Sequence, residues 1–492
     1  MMLRFNNFNL VRSGIYLFSV ILALLTIVAF KQYPGQGYIY LLFTIISNGF
    51  LYLGFRKKAI FFDSVLSVFL WLGFWLKLTL RVGFTDGIFH ESAGNFDGSG
   101  AAFDRGLLVA SCGLLGLIVV TLIRGRFFHY KDKVHSELAQ PGLFAVYQRH
   151  RKVMLAIFML LCLSVALSNV YFGIYQRGQV PLTILPYGLG GVYKWLLLFG
   201  LASFGAVILQ FEYVIGRSNS YLVAIISLLE GLLSNVSLLS RGMVLNSTAL
   251  FYGLFKSFKL NAIPVKIRFF AGILLIFSVL FISSVFLVNH LRYSGFADSF
   301  TVAHGSRGRF PHSWEDANEL HSMTTPLFID RWVGMEGVLA VSSSHKEGWD
   351  LWRQGWREVY SDNSTSFFDL NLVNSPYLTA DTRIHHYISL PGIIAFCFYP
   401  GSFAFLFACM LLVGAVGAGV EILVYRMGGK NLVLCSLLAQ ALAYRFTNFG
   451  YAPVQSYLLF GSLFLNLIII YAAEKFFSYA YLGSPAVVGK SS

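Results

Sequence analysis

Apolar runs of about 18 to 24 residues alternate along the chain with shorter polar connections. That is the length a helix rising about 1.5 Å per residue needs to cross about 30 Å of hydrocarbon. The runs lack a period of two, which excludes the pattern of a membrane β-barrel. Twelve spans are predicted: 13–30, 38–54, 59–83, 106–123, 153–171, 191–211, 219–239, 243–256, 269–289, 392–425, 431–448 and 452–473. The eighth is short for a crossing, and the tenth is long and opens Leu-Pro-Gly, so a tilted or two-part helix is expected there. The expected fold class is therefore all-α, a polytopic membrane protein of about 12 helices. Its parts are an N-terminal bundle over 1–289, a large partly helical loop over 290–389 between helices 9 and 10, C-terminal helices over 390–475 and a tail over 476–492.

Composition supports the same solvent. Of 492 residues 56% are hydrophobic and 12% charged, more apolar surface than a soluble core of this size can hide. The net charge of +14 does not point to nucleic acid, because the basic residues sit in short clusters between apolar runs. Cys112, Cys162, Cys397, Cys409 and Cys435 lie in or beside those runs and form no paired or CxxC framework. The first run follows Arg4 and Arg12, lacks a small-residue cleavage site and reads as a membrane helix, not a leader.

The basic clusters set the orientation. Arg56 to Lys58, the stretch from Arg124 to Lys152, Lys256 to Arg268, and Arg426 with Lys430 occupy alternate connections, which are expected in the cytoplasm with both termini. The opposite connections are poor in Lys and Arg: 85–104 has none and 172–190 only Arg177. The segment 290–389 then lies outside. It carries eight basic and twelve acidic residues, so its arginines are individually placed and do not form a charge belt. Within it DRWVGMEGVLAVSS and WDLWRQGWREVYS predict two short helices. The second is amphipathic, with Trp349, Trp352 and Trp356 expected at the membrane surface.

Ionisable groups inside membrane helices are costly, so each is a functional candidate. They are Lys77, Arg81, Glu230, Arg241 and Arg445; Arg81, Arg241 and Arg445 fall toward the outer end, beside Arg292 and Arg331 of the external segment. Guanidinium groups gathered at one rim match phosphate oxygens in two-point contacts. The competing reading has each arginine snorkel to headgroups or pair with an acid such as Glu230.

Four pieces in order, SRG at 240–242, VNHLRYSGF at 288–296, DRWVGMEGV at 330–338 and RIHHYISLPGIIAFCFYPG at 383–401, resemble the bacterial O-antigen polymerase and ligase superfamily over the chain from 218 onward. The resemblance implies a GT-C-like enzyme of the bacterial inner membrane that moves glycan from an undecaprenyl-diphosphate carrier at the periplasmic face. It assigns Arg241 and Arg292 to the diphosphate, with Arg331 a further candidate, and His385 or His386 as general base. Arg81 and Arg445 join the diphosphate set by their place on the same rim. The pattern departs from the ligases, where His-Asn and a longer run to the glycine are usual, which favours a Wzy-type repeat-unit polymerase and leaves open which histidine acts.

The chemistry is reasonable on its own terms. An imidazole of pKa about 6.5 takes a hydroxyl proton near neutrality, and fixed arginines stabilise the charge building on a diphosphate leaving group. Direct displacement inverts the anomeric centre. No DxD or HExxH occurs, and no metal or other cofactor is expected. Glu336 and Asp381 could orient the base or replace it. The histidine pair also reads as a solvated pair or as a staple of the loop to the helix rim, and His90, His290, His304, His312, His321 and His345 share its side. Expected partners are the undecaprenyl-diphosphate-linked oligosaccharide, membrane lipid and a chain-length regulator protein. The alternatives are transfer to lipid A core and a lipid-linked-glycan flippase, although a transporter would be expected to show a repeated half.

Overall fold

The structure, a computed structural model, describes residues 2–3, 8–89, 91–130, 142–214, 221–240, 242, 244–260, 265–303, 329–360, 365–373 and 388–482. Hydrocarbon offers no partner to a backbone N–H or C=O, so an apolar run satisfies itself by coiling into a helix. The result is all-helical apart from a two-residue antiparallel pairing of Met2–Leu3 with Val265–Lys266. In chain order the helices are α1 (Phe8–Gln32), α2 (Gly37–Phe55), α3 (Phe61–Phe84), α4 (Gly100–Phe127), α5 (Leu143–Phe172) and α6 (Pro186–Glu212). They continue with α7 (Tyr221–Ser237), α8 (Val244–Leu260), α9 (Ile267–Ala303), α10 (Met335–Ser342), α11 (Trp349–Trp356), α12 (Ile393–Cys397), α13 (Phe403–Met427), α14 (Leu432–Thr447) and α15 (Ser456–Leu482).

Among the described residues eight helices are long and apolar enough to cross a membrane: α2 to α6, the Ala271–Val288 part of α9, α13 and the Pro453–Tyr479 region of α15. Shorter apolar helices cover Tyr16–Gln32, Val223–Ser237 and Leu432–Thr447. Each predicted apolar run coincides with a helix, and the long tenth run divides into α12 and α13 around residues 398–402. The chain thus has the make-up of a multi-pass membrane protein. α9 runs on to Ala303, into the segment read as external.

The core centres on α14, which is buried along nearly its whole length and packs on α3, α6, α8 and α13. α9 leans on α7, and only 17% of its apolar window is buried, so most of that surface faces outward. The polar segment is not a solvated cap throughout. Every residue of α10 is buried, and that helix packs on α4 and α12. On α11, Leu351 and Gly355 face inward, while Trp349 and Trp356 stay partly exposed and Trp352 packs edge-on to Phe405 at 5.5 Å.

The bundle has two chemically distinct ends. At one, Arg56 Nη2 donates to Thr121 O (3.1 Å), Arg124 Nη1 to Lys58 O (2.7 Å) and Lys256 Nζ to Ala59 O (2.8 Å). These bonds tie the basic connections after α2, α4 and α8 together. The segment containing α10 docks at the opposite end.

Candidate functional site

The site is assembled on a stripe of α3. Its turn Trp71–Leu76 is a π-helix, a widened turn that commonly marks functional positions. Gly73, Lys77 and Arg81 follow at intervals of four and meet residues 330–336. The two backbones touch where both residues are glycine: a Cβ on Gly73 would lie 2.4 Å from Val333 O, and one on Gly334 would lie 2.2 Å from Gly73 O. One turn on, Lys77 Nζ donates to Asp330 O (2.9 Å) and pairs with Glu336 Oε1 (2.8 Å), both side chains being buried. Arg81 grips Asp330 with two bonds, Nε to Oδ1 at 3.2 Å and Nη2 to Oδ2. Burial pushes the Glu336 carboxyl above its ordinary range, and the Lys77 ammonium opposes that shift. The two ion pairs bracket Arg331 and hold its turn in register.

Arg331 meets a second arginine. Arg177, in the connection between α5 and α6, is tethered by its backbone N–H to Leu238 O (2.9 Å), at the turn that closes α7. That turn reverses through Leu239 in the left-handed region (φ 49°), after which Ser240 Oγ accepts from Gly242 N (3.2 Å). A Cβ on Gly242 would lie 3.5 Å from Arg177 Nη1 and 3.6 Å from Arg331 Nη2, so both guanidinium groups border this glycine. The Arg177 head group lies over the Tyr444 ring, 5.8 Å from its centroid, and Tyr444 shares the wall of a cavity with Arg331. Desolvation, and then the neighbouring Arg177 charge, hold Arg331 below the usual guanidinium value against the pull of Tyr444. Arg331 forms no ion pair among the described residues.

Two cavities meet at this arginine. The first, about 300 Å³, lies between α8 (Leu245, Thr248) and α9 (Phe277, Phe281, Val285), with Phe69 also in its wall. The second, about 260 Å³, is lined by the Lys77–Glu336 pair, Glu91, Ser92, Asp330 and Ser389 among others. Arg331, Trp332, Val333 and Asn448 belong to both.

Of the residues singled out from sequence, Arg331 stands in the cluster, and Arg81 and Glu336 stand in the ion pairs that support it. Arg445 points elsewhere: it donates to Ser456 Oγ (3.0 Å) and Tyr451 O (3.4 Å) and packs over Phe449, at the start of α15. The Arg292 backbone lies in α9, and its side chain is outside the described residues. Arg241, His385, His386 and Asp381 also lie outside them, although the neighbours of Arg241, Ser240 and Gly242, are at the cluster. Ile388, where the described chain resumes, lines the second cavity. Glu230 accepts from Ser234 Oγ (2.8 Å) and forms no ion pair among the described residues; of the candidate arginines, Arg81 is the one that pairs with an acid, and that acid is Asp330. Arg177 escaped sequence reasoning, although it is the one basic residue in a connection otherwise free of Lys and Arg. Among the described residues no group of three or more His, Cys, Asp and Glu side chains is placed to hold a metal.

The fold and the site together define a multi-pass helical membrane protein with an arginine-lined cavity pair at one end of its bundle. No protein-family model, no curated protein and no solved structure matches the chain.

Proposed function

We propose that this chain is a glycosyltransferase of the bacterial inner membrane that elongates a polysaccharide from an undecaprenyl-diphosphate-linked oligosaccharide at the periplasmic face. The observation that carries the reading is the meeting of Arg177 and Arg331 beside an apolar cavity between α8 and α9. A guanidinium pair next to hydrocarbon-like walls suits a ligand with a diphosphate head and an isoprenoid tail. Arg241, flanked by two residues of the cluster, and Arg292 complete the diphosphate set in this reading.

The transfer proceeds by displacement. The acceptor hydroxyl oxygen attacks the anomeric carbon, the bond from that carbon to the diphosphate oxygen breaks, and the electron pair leaves with the diphosphate onto the guanidinium groups. The hydroxyl proton passes to His385 or His386, on the stretch that leads to Ile388 in the second cavity. The product is inverted, and neither a metal nor an organic cofactor takes part. In this reading the chain crosses the membrane twelve times, both termini are cytoplasmic and the segment 290–389 is periplasmic.

The test uses the full-length protein in nanodiscs with a defined undecaprenyl-diphosphate oligosaccharide. Longer glycans are expected, with loss of product in Arg331→Ala while the protein remains folded. Movement of the lipid across a proteoliposome without any change in glycan length would replace the enzyme by a flippase. Transfer only to added lipid A core would make it the ligase.

A further inference from the structure

The two cavities differ in a way that assigns them. The first is predominantly apolar, with walls of Phe69, Leu245, Phe277, Phe281 and Val285, and its polar side chains apart from the shared Arg331, Trp332 and Asn448 are Thr248, Tyr444 and Thr447. The second offers donors and acceptors on Ser92, Glu91, Asp330 and the Lys77–Glu336 pair, with Phe368 for the apolar face of a ring. It reaches the protein surface at Glu91 and Ser92, which are exposed. Between the cavities stands Asn448, immediately after α14. Its Nδ2 is fixed by bonds to Tyr444 O (2.9 Å) and Thr447 Oγ1 (3.3 Å), while its Oδ1 accepts from no protein donor among the described residues. A held amide with an open carbonyl oxygen, on the wall common to both cavities, is placed to accept a hydrogen bond from a hydroxyl about to react.

We propose that the second cavity is the acceptor subsite, taking the terminal sugar of the growing glycan, and that Asn448 is the positioning residue that orients its nucleophilic hydroxyl toward Arg331 and the first cavity. The inference rests on the glycosyltransferase reading above and deepens it. The new bond forms across Asn448, from the acceptor oxygen to the donor's anomeric carbon. The proton leaves to the base and the diphosphate leaves on the Arg331 side. Asn448 orients the hydroxyl and takes no proton.

The test separates acceptor from donor with a repeat-unit oligosaccharide carrying a simple alkyl group at its reducing end, which can accept but cannot donate. Elongation of this probe is titrated at saturating undecaprenyl-diphosphate oligosaccharide, with full-length protein in nanodiscs, for Asn448→Leu and for Ser92→Phe. Loss of one oriented hydrogen bond is expected to raise the acceptor KM about tenfold. Ser92→Phe, which narrows the cavity without touching Asn448, should raise it at least as far, and binding of radiolabelled donor should be unchanged in both. An unmoved acceptor KM in both variants overturns the subsite, as does a parallel loss of donor binding, which would give the cavity to the donor. Absence of elongation by the wild-type protein is a different failure and removes the glycosyltransferase reading itself.

Discussion

Lys77 and Glu336 are 259 positions apart in the chain and 2.8 Å apart in the fold, both buried. Removing one partner of such a pair strands the other charge away from water, whereas removing both leaves an apolar contact. Lys77→Met is therefore expected to cost about 3–5 kcal/mol, and the double variant Lys77→Met with Glu336→Leu to recover most of it; thermal unfolding in detergent measures both. Arg331 makes a separate prediction, because a lysine keeps the charge but loses the planar fork. Arg331→Lys should slow elongation about 10²–10³-fold, the scale of one lost transition-state donor, with Arg331→Ala no faster; single-turnover rates decide this. At this scale the sequence was only partly legible. Lys77 and Arg81 stood out because charge inside an apolar run demands a partner, but nothing in the sequence said that Glu336 and Asp330 supply it. Arg177 was visible as an exception to a charge pattern, yet only the folded turn after α7 brings it to Arg331. The same blindness to direction put Arg445 in the site, whereas its guanidinium reaches Ser456.

The elements show which physical signals survive in a linear pattern. Every predicted run became a helix because hydrocarbon leaves a backbone few other ways to satisfy its polar groups. A two-part helix was expected from the Pro-Gly pair that opens the run, but the break between α12 and α13 falls at a second such pair, Pro400-Gly401, where Gly401 takes a φ of 73°. The π turn of α3 was not, since WLGFWL reads as one more apolar stretch, and neither was the burial of α10, which depends on α4 and α12 accepting it. The contact between Gly73 and Gly334 tests whether the docked segment is structurally committed. An added methyl there meets backbone at 2.4 or 2.2 Å, which no side-chain rotation relieves. Gly73→Ala and Gly334→Ala should each cost about 1–3 kcal/mol, the range for overpacking a filled contact, and should raise hydrogen exchange across α10. Gly49→Ala is the control, because nothing lies within 4 Å of its added carbon. An equal loss at Gly49 would show that the added methyl itself, and not the docked contact, was being measured.

On the scale of the whole molecule, the distribution of charge predicts which face the site serves. The bonds from Arg56, Arg124 and Lys256 collect three basic connections at one end, while Arg331, both cavities and α10 lie at the other. Lys and Arg near span ends are retained on the cytoplasmic side, so the cavity end should face outward. In a variant lacking Cys112, Cys162, Cys397, Cys409 and Cys435, single cysteines at the exposed positions Asp97 and Asp350 should react with a membrane-impermeant maleimide in intact spheroplasts. Cysteines at the exposed positions Lys57 and Arg126 should react only after permeabilisation. The reverse pattern would put the arginines on the side where lipid-linked sugars are assembled and not where they are joined, and elongation at the periplasmic face would then be untenable. Labelling of Asp97 without Asp350 would instead part the segment that holds α11 from the α3–α4 connection. That result would contradict their meeting at the second cavity, where Ser92 donates to Val373 O at 2.9 Å.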